Sequence, residues 1–291
     1  MSEAGTATES RPGKSGFRRF IQHRGALVGL LLVAVAVGLA VLAPLISSGD
    51  PAAIDMTRRF LFPGPDALMG TDNYGRDVFT RLAYGGRVTL LVGLGAVALG
   101  CLMGVTLGLV SGYFGGWIDA LLMRITDILL SFPSLILALG IMAIVGPGVM
   151  SVILAVGITS TPMIARVVRS ATLALREVAF IDAARALGAG NTRILYKHLL
   201  PNVLGAVAIL AALNVGSAIL IESSLSFLGL GPGPDVPSWG SMIAEGAAYL
   251  RRNPWMTIFP GVAITLTILG FNLLGDGLRD LLDPRLRQFI K

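Results

Sequence analysis

Residues 166–201 read RVVRSATLALREVAFIDAARALGAGNTRILYKHLLP, a polar and basic insert lying between two uncharged runs, each approaching or meeting the length needed to cross a bilayer. A helical pattern from about Leu173 to Leu187 is interrupted at Gly188, a residue free to take the left-handed conformation that ends helices. Asn191 is a natural cap for a following helix, which Pro201 then stops. The insert is therefore expected to fold as helix, tight turn, helix. Ala183 and Ala184 lie one turn before the glycine, where their small side chains allow another protein to approach the helix backbone.

The rest of the chain places this insert in a membrane protein. Hydrophobic residues make up 54% of the 291 and charged residues 14%, with a mean hydropathy of +0.77, a composition outside the globular range. A spanning helix needs roughly 20 predominantly apolar residues. Six segments approach or reach that length: Gly25 to Ile46, Val88 to Val110, Ile128 to Val145, Val149 to Ala165, Val203 to Ile221 and Trp255 to Leu274. The third is short, so its helix is extended back through Asp119, Arg124 and Asp127, whose charges then lie near the membrane surface. The reading is an all-α polytopic protein of six transmembrane helices.

Basic residues near membrane helices are retained on the cytoplasmic side. With the N-terminus inside, sixteen of the 23 lysines and arginines fall on the inner face, including those of the insert. Five of the remaining seven share the loop 47–87 with five aspartates. Both termini and the insert are accordingly expected in the cytoplasm. The resulting division is a leader at 1–24, a first helix at 25–46, an outer loop at 47–87, a five-helix core at 88–278 and a tail at 279–291. The core contains the inner loop 166–202 and the outer loop 229–253. Topology and anionic lipid explain the net charge of +6 without a nucleic acid.

Other features narrow the chemistry. Arg18, Arg19 and Arg24 precede the first apolar run, but that run exceeds the ~7–15 residues of a signal-peptide core and reads as a retained anchor. Cys101 is the only cysteine and reads as a small buried residue. Gly13, Lys14 and Ser15 look like part of a nucleotide loop, yet Thr8 stands where that motif needs glycine. His23 and His198 have no neighbour at metal-ligand spacing. Ser223, Ser224 and Ser226 follow Glu222 without a histidine nearby, so a polar helix end is preferred over a nucleophile. Ala96, Gly100, Gly104 and Gly108 recur every four residues, a stripe that allows two helices to pack backbone to backbone. Pro133, Pro162 and Pro260 should each kink a span.

With these residues set out, the insert resembles the cytoplasmic coupling loop of binding-protein-dependent ABC importer permeases. That pattern is an acidic residue, two alanines, three residues, glycine, nine residues, an apolar position, one residue, then leucine and proline. Asp182, Ala183, Ala184, Gly188, Leu200 and Pro201 fit the spacing, and His198 occupies the apolar position. Gly70 to Asp77 (GTDNYGRD), Gly112 to Leu135 and Glu222 to Gly231 (ESSLSFLGLG), the last followed by Pro237 to Gly240, narrow the resemblance to the C-type permease of the dipeptide, oligopeptide and nickel branch. The resemblance implies a type I importer fold in the bacterial plasma membrane, a second homologous permease, two cytoplasmic ATPase subunits that bind the ATP and Mg, and an extracytoplasmic solute-binding protein. No cofactor is expected in this chain. Short peptides are the favoured solute, with nickel or another small solute as the alternative.

Asp182 to Gly188 would meet the ATPase subunits, and Asn214, Glu222 and Ser223 are candidates for the pathway. Asp235, Trp239 and Glu245 are candidates for binding-protein docking. An ion-gradient transporter would want ionisable groups at mid-membrane, and an intramembrane enzyme would want paired catalytic groups. The central spans offer only Asn214 and Asn272, with Glu222 near an end.

Overall fold

The computed structural model describes residues 23–47, 49–233 and 236–282. The leader with Gly13, Lys14 and Ser15, the docking candidate Asp235 and most of the tail lie outside the described residues. Helices run in the order α1 (Arg24–Val41), α2 (Ala43–Ile46), α3 (Val78–Phe114), α4 (Gly116–Leu130), α5 (Ser134–Val145), α6 (Val149–Arg176), α7 (Ala179–Ala186), α8 (Asn191–Arg193), α9 (Leu200–Phe227), α10 (Trp239–Ala247) and α11 (Trp255–Leu282). Among the described residues there is no strand, only isolated bridges at Gly64–Ala67 and Thr71–Asp77.

Among the described residues, five helical segments are long and apolar enough to cross a bilayer: α1, α3, α6, the run Asn191–Phe227 and α11. The sixth expected span is not one straight helix extended back through Asp119. Instead α4 and α5 meet at 95° across a break of a few residues. Pro133 stands at that break with extended backbone, and it has no N–H to carry a helix onward. The carbonyl of Ile128 is satisfied by the Ser131 hydroxyl at 2.6 Å. The charges of α4 turn toward α6, with Asp119 paired to Arg169 at 2.5 Å and Asp127 to Arg166 at 2.6 Å. Pro162 and Pro260, by contrast, lie inside continuous helices.

The second expected span begins ten residues earlier than its apolar run, at Val78, where Asp77 caps the helix by accepting from the Thr80 amide at 2.7 Å. At about 1.5 Å per residue, its 37 residues reach roughly 55 Å, well beyond a hydrocarbon layer of ~30 Å. α3 is therefore long enough to extend beyond the apolar layer as well as cross it. The fourth span likewise runs past Ala165 to Arg176.

The stripe seen in sequence on α3 meets α6. A β-carbon built on Gly104 would lie 2.7 Å from the Ile164 β-carbon and 2.9 Å from the Thr161 carbonyl. On Gly108 it would lie 2.6 Å from the Ala165 carbonyl, and on Gly112 it would lie 2.7 Å from the Thr172 β-carbon. The reciprocal contact comes from Gly157, whose added β-carbon would sit 3.1 Å from the Ala96 carbonyl. Backbone faces backbone along four turns of both helices. Lipid tails are as apolar as side chains, so close van der Waals contact of this kind is what holds membrane helices together. Around the seam, α1 lies on α11, α9 on both α3 and α11, and α10 closes one end of the bundle.

Replacing a helical glycine by alanine ordinarily stabilises by roughly 0.5–1 kcal/mol. Gly108→Ala is expected to lower the thermal midpoint of the purified chain in detergent despite that gain. Gly140→Ala on α5, where an added β-carbon meets nothing within 4 Å, should leave the midpoint unchanged or raise it.

Candidate functional site

The insert is carried on two long helices. α6 continues unbroken to Arg176, and the expected helix from Leu173 to Leu187 is divided at Glu177 and Val178, where Glu177 leaves helical geometry and Val178 turns extended. The division is fixed by Arg176, whose Nη1 donates to the Gly112 carbonyl at 3.1 Å and whose Nε donates to Glu177 at 2.9 Å. α7 then turns Ile181 and Ala184 inward and exposes Asp182 and Ala183. Ala184 is therefore small for the sake of packing within the chain, and only Ala183 offers its backbone to a neighbour.

Gly188 has φ +79°. Its amide donates to Arg185 at 2.9 Å and the Ala189 amide donates to Ala184 at 3.0 Å, the paired bonds that close a helix through a left-handed residue. A β-carbon on Gly188 would project into open space. α7 and its two ends also carry exposed apolar side chains that the sequence reading passed over: Val178 is 43% exposed, Phe180 39% and Leu187 89%. Three such side chains on a polar loop were the available signal.

Beyond the turn, Gly190 rather than Asn191 occupies the cap position of α8, and the Asn191 carboxamide accepts from the Tyr113 hydroxyl at 2.8 Å. Pro201 does not stop a helix; it opens α9. Proline is tolerated in a first turn, but its missing N–H leaves the Lys197 carbonyl without an ordinary i+4 donor. The chain absorbs this by taking the wider π register from Ile194 to Leu199, with the Asn202 side chain donating to the His198 carbonyl at 2.6 Å. The His198 ring lies 6.5 Å from that of Phe180, joining the two limbs of the protrusion. Asp182, Ala183, Gly188 and His198 thus share one protrusion, with Leu200 and Pro201 at its root.

At the opposite end, the loops 47–77 and 229–253 fold onto one another. Asp72 accepts from the Tyr74 and Arg76 amides at 2.8 and 2.9 Å, and from the side chains of Arg76 at 2.6 Å and Arg81 at 2.7 Å. Arg81, nearly fully buried, also holds Glu245 at 2.7 Å, and Arg76 reaches the same carboxylate. Asn253 donates to the Thr71 carbonyl at 2.9 Å, and the Arg252 guanidinium lies 4.2 Å over the Phe60 ring. Burial alone would raise the Glu245 pKa, but the hydrogen bonds and charges of Arg81 and Arg76 overcome it and hold the carboxyl below its ordinary value.

These positions correct three expectations. Trp239 is 1% exposed and donates to the Leu82 carbonyl at 2.9 Å, packed on Gly86, so it is a core residue of α10 and not a docking or interfacial one. Glu245 is not a free docking charge: its carboxylate is held by Arg76 and Arg81, with the side chain part-exposed. Glu222 is fully buried, accepting from Ser226 at 2.8 Å and Ser223 at 3.2 Å with the Ser238 and Thr89 hydroxyls also directed at it, so it is enclosed by its own chain and faces no pathway. Ser223 is 7% exposed and borders a groove of about 510 Å³ with Ser224, Phe227 and Thr265. Asn214 spends its amide on the Leu210 carbonyl at 2.8 Å within α9.

Among the described residues, an all-helical bundle with five to six spans and a helix–turn–helix protrusion at one end defines a polytopic membrane protein. The family described as binding-protein-dependent transport system inner membrane component matches residues 104–288, and the N-terminal TM domain of oligopeptide transport permease C matches residues 11–63. The chain is 42% identical over 281 residues to the dipeptide transport system permease protein DppC of Alkalihalophilus pseudofirmus, covering 97% of this chain and 92% of that one. It is 38% identical to the oligopeptide transport system permease protein OppC of Bacillus subtilis (94% and 90%) and 40% identical to the glutathione transport system permease protein GsiD of Pectobacterium atrosepticum (95% and 92%). Inward-facing structures of the MetNI methionine ABC transporter share the fold, with a TM-score of 0.56 at 23% identity, covering 69% of this chain and 96% of that one. The chain belongs to the binding-protein-dependent transport system inner membrane component family, and it is a multi-pass inner-membrane permease subunit of an ABC importer.

Glu245→Gln removes the charge shared by Arg81 and Arg76, a loss on the order of 2 kcal/mol. It should raise amide hydrogen exchange in residues 70–77 and 240–247 while the exchange of α6 is unchanged. Because the folded pKa is depressed, the contribution of Glu245 is full above its ordinary pKa near ~4.3 and is lost as pH falls through the lower folded value. The same exchange measurement in acid should reproduce the variant.

Proposed function

We propose that this chain pairs with a homologous second permease to form the pathway of a short-peptide importer, driven by two cytoplasmic ATPase subunits and fed by an extracytoplasmic binding protein. The observation that carries this reading is the protrusion at the root of α6 and α9, where the exposed Asp182, Ala183, Gly188, Val178, Phe180 and Leu187 all lie on α7 or at its two ends. The peptide assignment is supported by the dipeptide, oligopeptide and glutathione permeases to which the chain is similar. Clustering of basic residues in and around the insert supports a cytoplasmic protrusion and cytoplasmic termini. On this reading, ATP and Mg bind the partner subunits, and this chain has no ATPase site of its own.

Closure of the ATPase pair displaces α7, and the two long helices rooted on either side of it, α6 and the run Asn191–Phe227, carry that displacement into the bundle. Rigid-body rocking of this kind exchanges inward for outward access. The cap formed by loops 47–77 and 229–253 then faces the binding protein, as one joined surface.

Gly188→Leu forces a side chain into a left-handed residue and into the space where the partner docks. Uptake of a radiolabelled dipeptide by the assembled transporter is expected to fall to background, with membrane abundance of the chain unchanged; undiminished uptake counts against the coupling contact. The purified chain without its partners should hydrolyse no ATP in a phosphate-release assay. Uptake competed by nickel ion and not by peptides would transfer the solute assignment to the metal.

A further inference from the structure

Tyr113 stands in the last turn of α3, with its ring buried among Leu109, Ile164, Val168, Ile181 and Ile194. Its hydroxyl is not needed for that packing. The hydroxyl reaches instead across to Asn191, 78 residues on, at 2.8 Å. The guanidinium of Arg185, from the last turn of α7, lies 5.7 Å from the centre of the same ring, within the range of a cation–π attraction. The preceding residue, Gly112, receives Arg176 at 3.1 Å. Two consecutive residues of α3 therefore hold the protrusion at three points: before α7, within it and after it.

We propose that Tyr113 is a positioning residue for energy coupling, its hydroxyl tying the far limb of the protrusion to α3 so that displacement of α7 moves α3 and α6 together. The proposal rests on the reading of α7 as the ATPase contact. Without the bond to Asn191, α7 is still tied to the bundle at α6 and by its own apolar face, and the far limb keeps only apolar contact with α3, through Ile194 and Leu195, with no directional bond to fix it. The glycine seam then transmits less of each stroke. The ring keeps the fold and the hydroxyl sets the coupling, which makes the two roles separable by removing a single oxygen.

The test uses the transporter assembled with its partners in proteoliposomes, measuring radiolabelled dipeptide uptake per ATP hydrolysed and the ratio of binding-protein-stimulated to basal ATPase activity. Tyr113→Phe and Asn191→Ala are each expected to lower both ratios by about two- to tenfold, the worth of one hydrogen bond, with co-purified ATPase subunits at wild-type stoichiometry. The double variant should be no worse than either single one. Asn191→Asp keeps the acceptor oxygen and should restore both ratios. Unchanged ratios, additive losses, or loss of the ATPase subunits from Tyr113→Phe would overturn the positioning role. Should Gly188→Leu retain full uptake, the ATPase-contact reading fails; a Gly188→Leu defect beside a normal Tyr113→Phe overturns the tether alone.

Discussion

Close approach of two backbones along α3 and α6 is the constraint on which the other contacts depend. Water drives apolar helices together in soluble proteins, but within a bilayer that force is absent, and missing side chains take its place. The spacing of Gly100, Gly104, Gly108 and Gly112 sets both the distance and the register of the pair. Register matters because each end of α3 carries a specific contact. One end presents Arg81 and the floor for Trp239; the other presents Gly112 and Tyr113 to the protrusion. A slip of one residue in the seam would misplace both sets at once.

The fold was legible wherever the cause was local. Apolar runs placed five of the spans, the four-residue stripe marked the seam, and Gly188 marked the turn. What escaped depended on partners far away in sequence. The helix Val78–Phe114 looked shorter because Arg81 and Arg87 end the apolar run, yet Arg81 is accommodated by Glu245 at 164 residues' distance. Trp239 read as a docking residue because nothing near it in sequence announces Gly86 as its floor. Pro201 read as a stop because a π turn that absorbs a proline leaves no pattern of its own. Only the outline of the coupling segment was readable from the chain, and its inward and outward faces were not.

Two polar clusters lie at the cap, and they solve burial differently. Asp72, Arg76, Arg81 and Glu245 compensate charge with charge. Glu222 has no cation beside it and is surrounded by hydroxyls from α9, the α10 cap and α3. Buried polar groups of this kind are unfavourable unless fully partnered, and their partners here come from three separate elements. Closing the cap therefore requires those elements together, with Gly231 and Gly240 set directly against Ser226 and Ser223 to let them approach.

The sequence separation within the ion cluster also orders events at the ribosome. A chain growing at about 5–20 residues per second delivers Arg81 roughly 8–30 s before Glu245 exists. During that interval the guanidinium has Asp72, only nine residues away and already made. The aspartate is available as a counter-ion before the glutamate is made, and Glu245 completes the set once α10 exists. The order of synthesis thus leaves Arg81 with a local carboxylate at every stage at which Glu245 is missing.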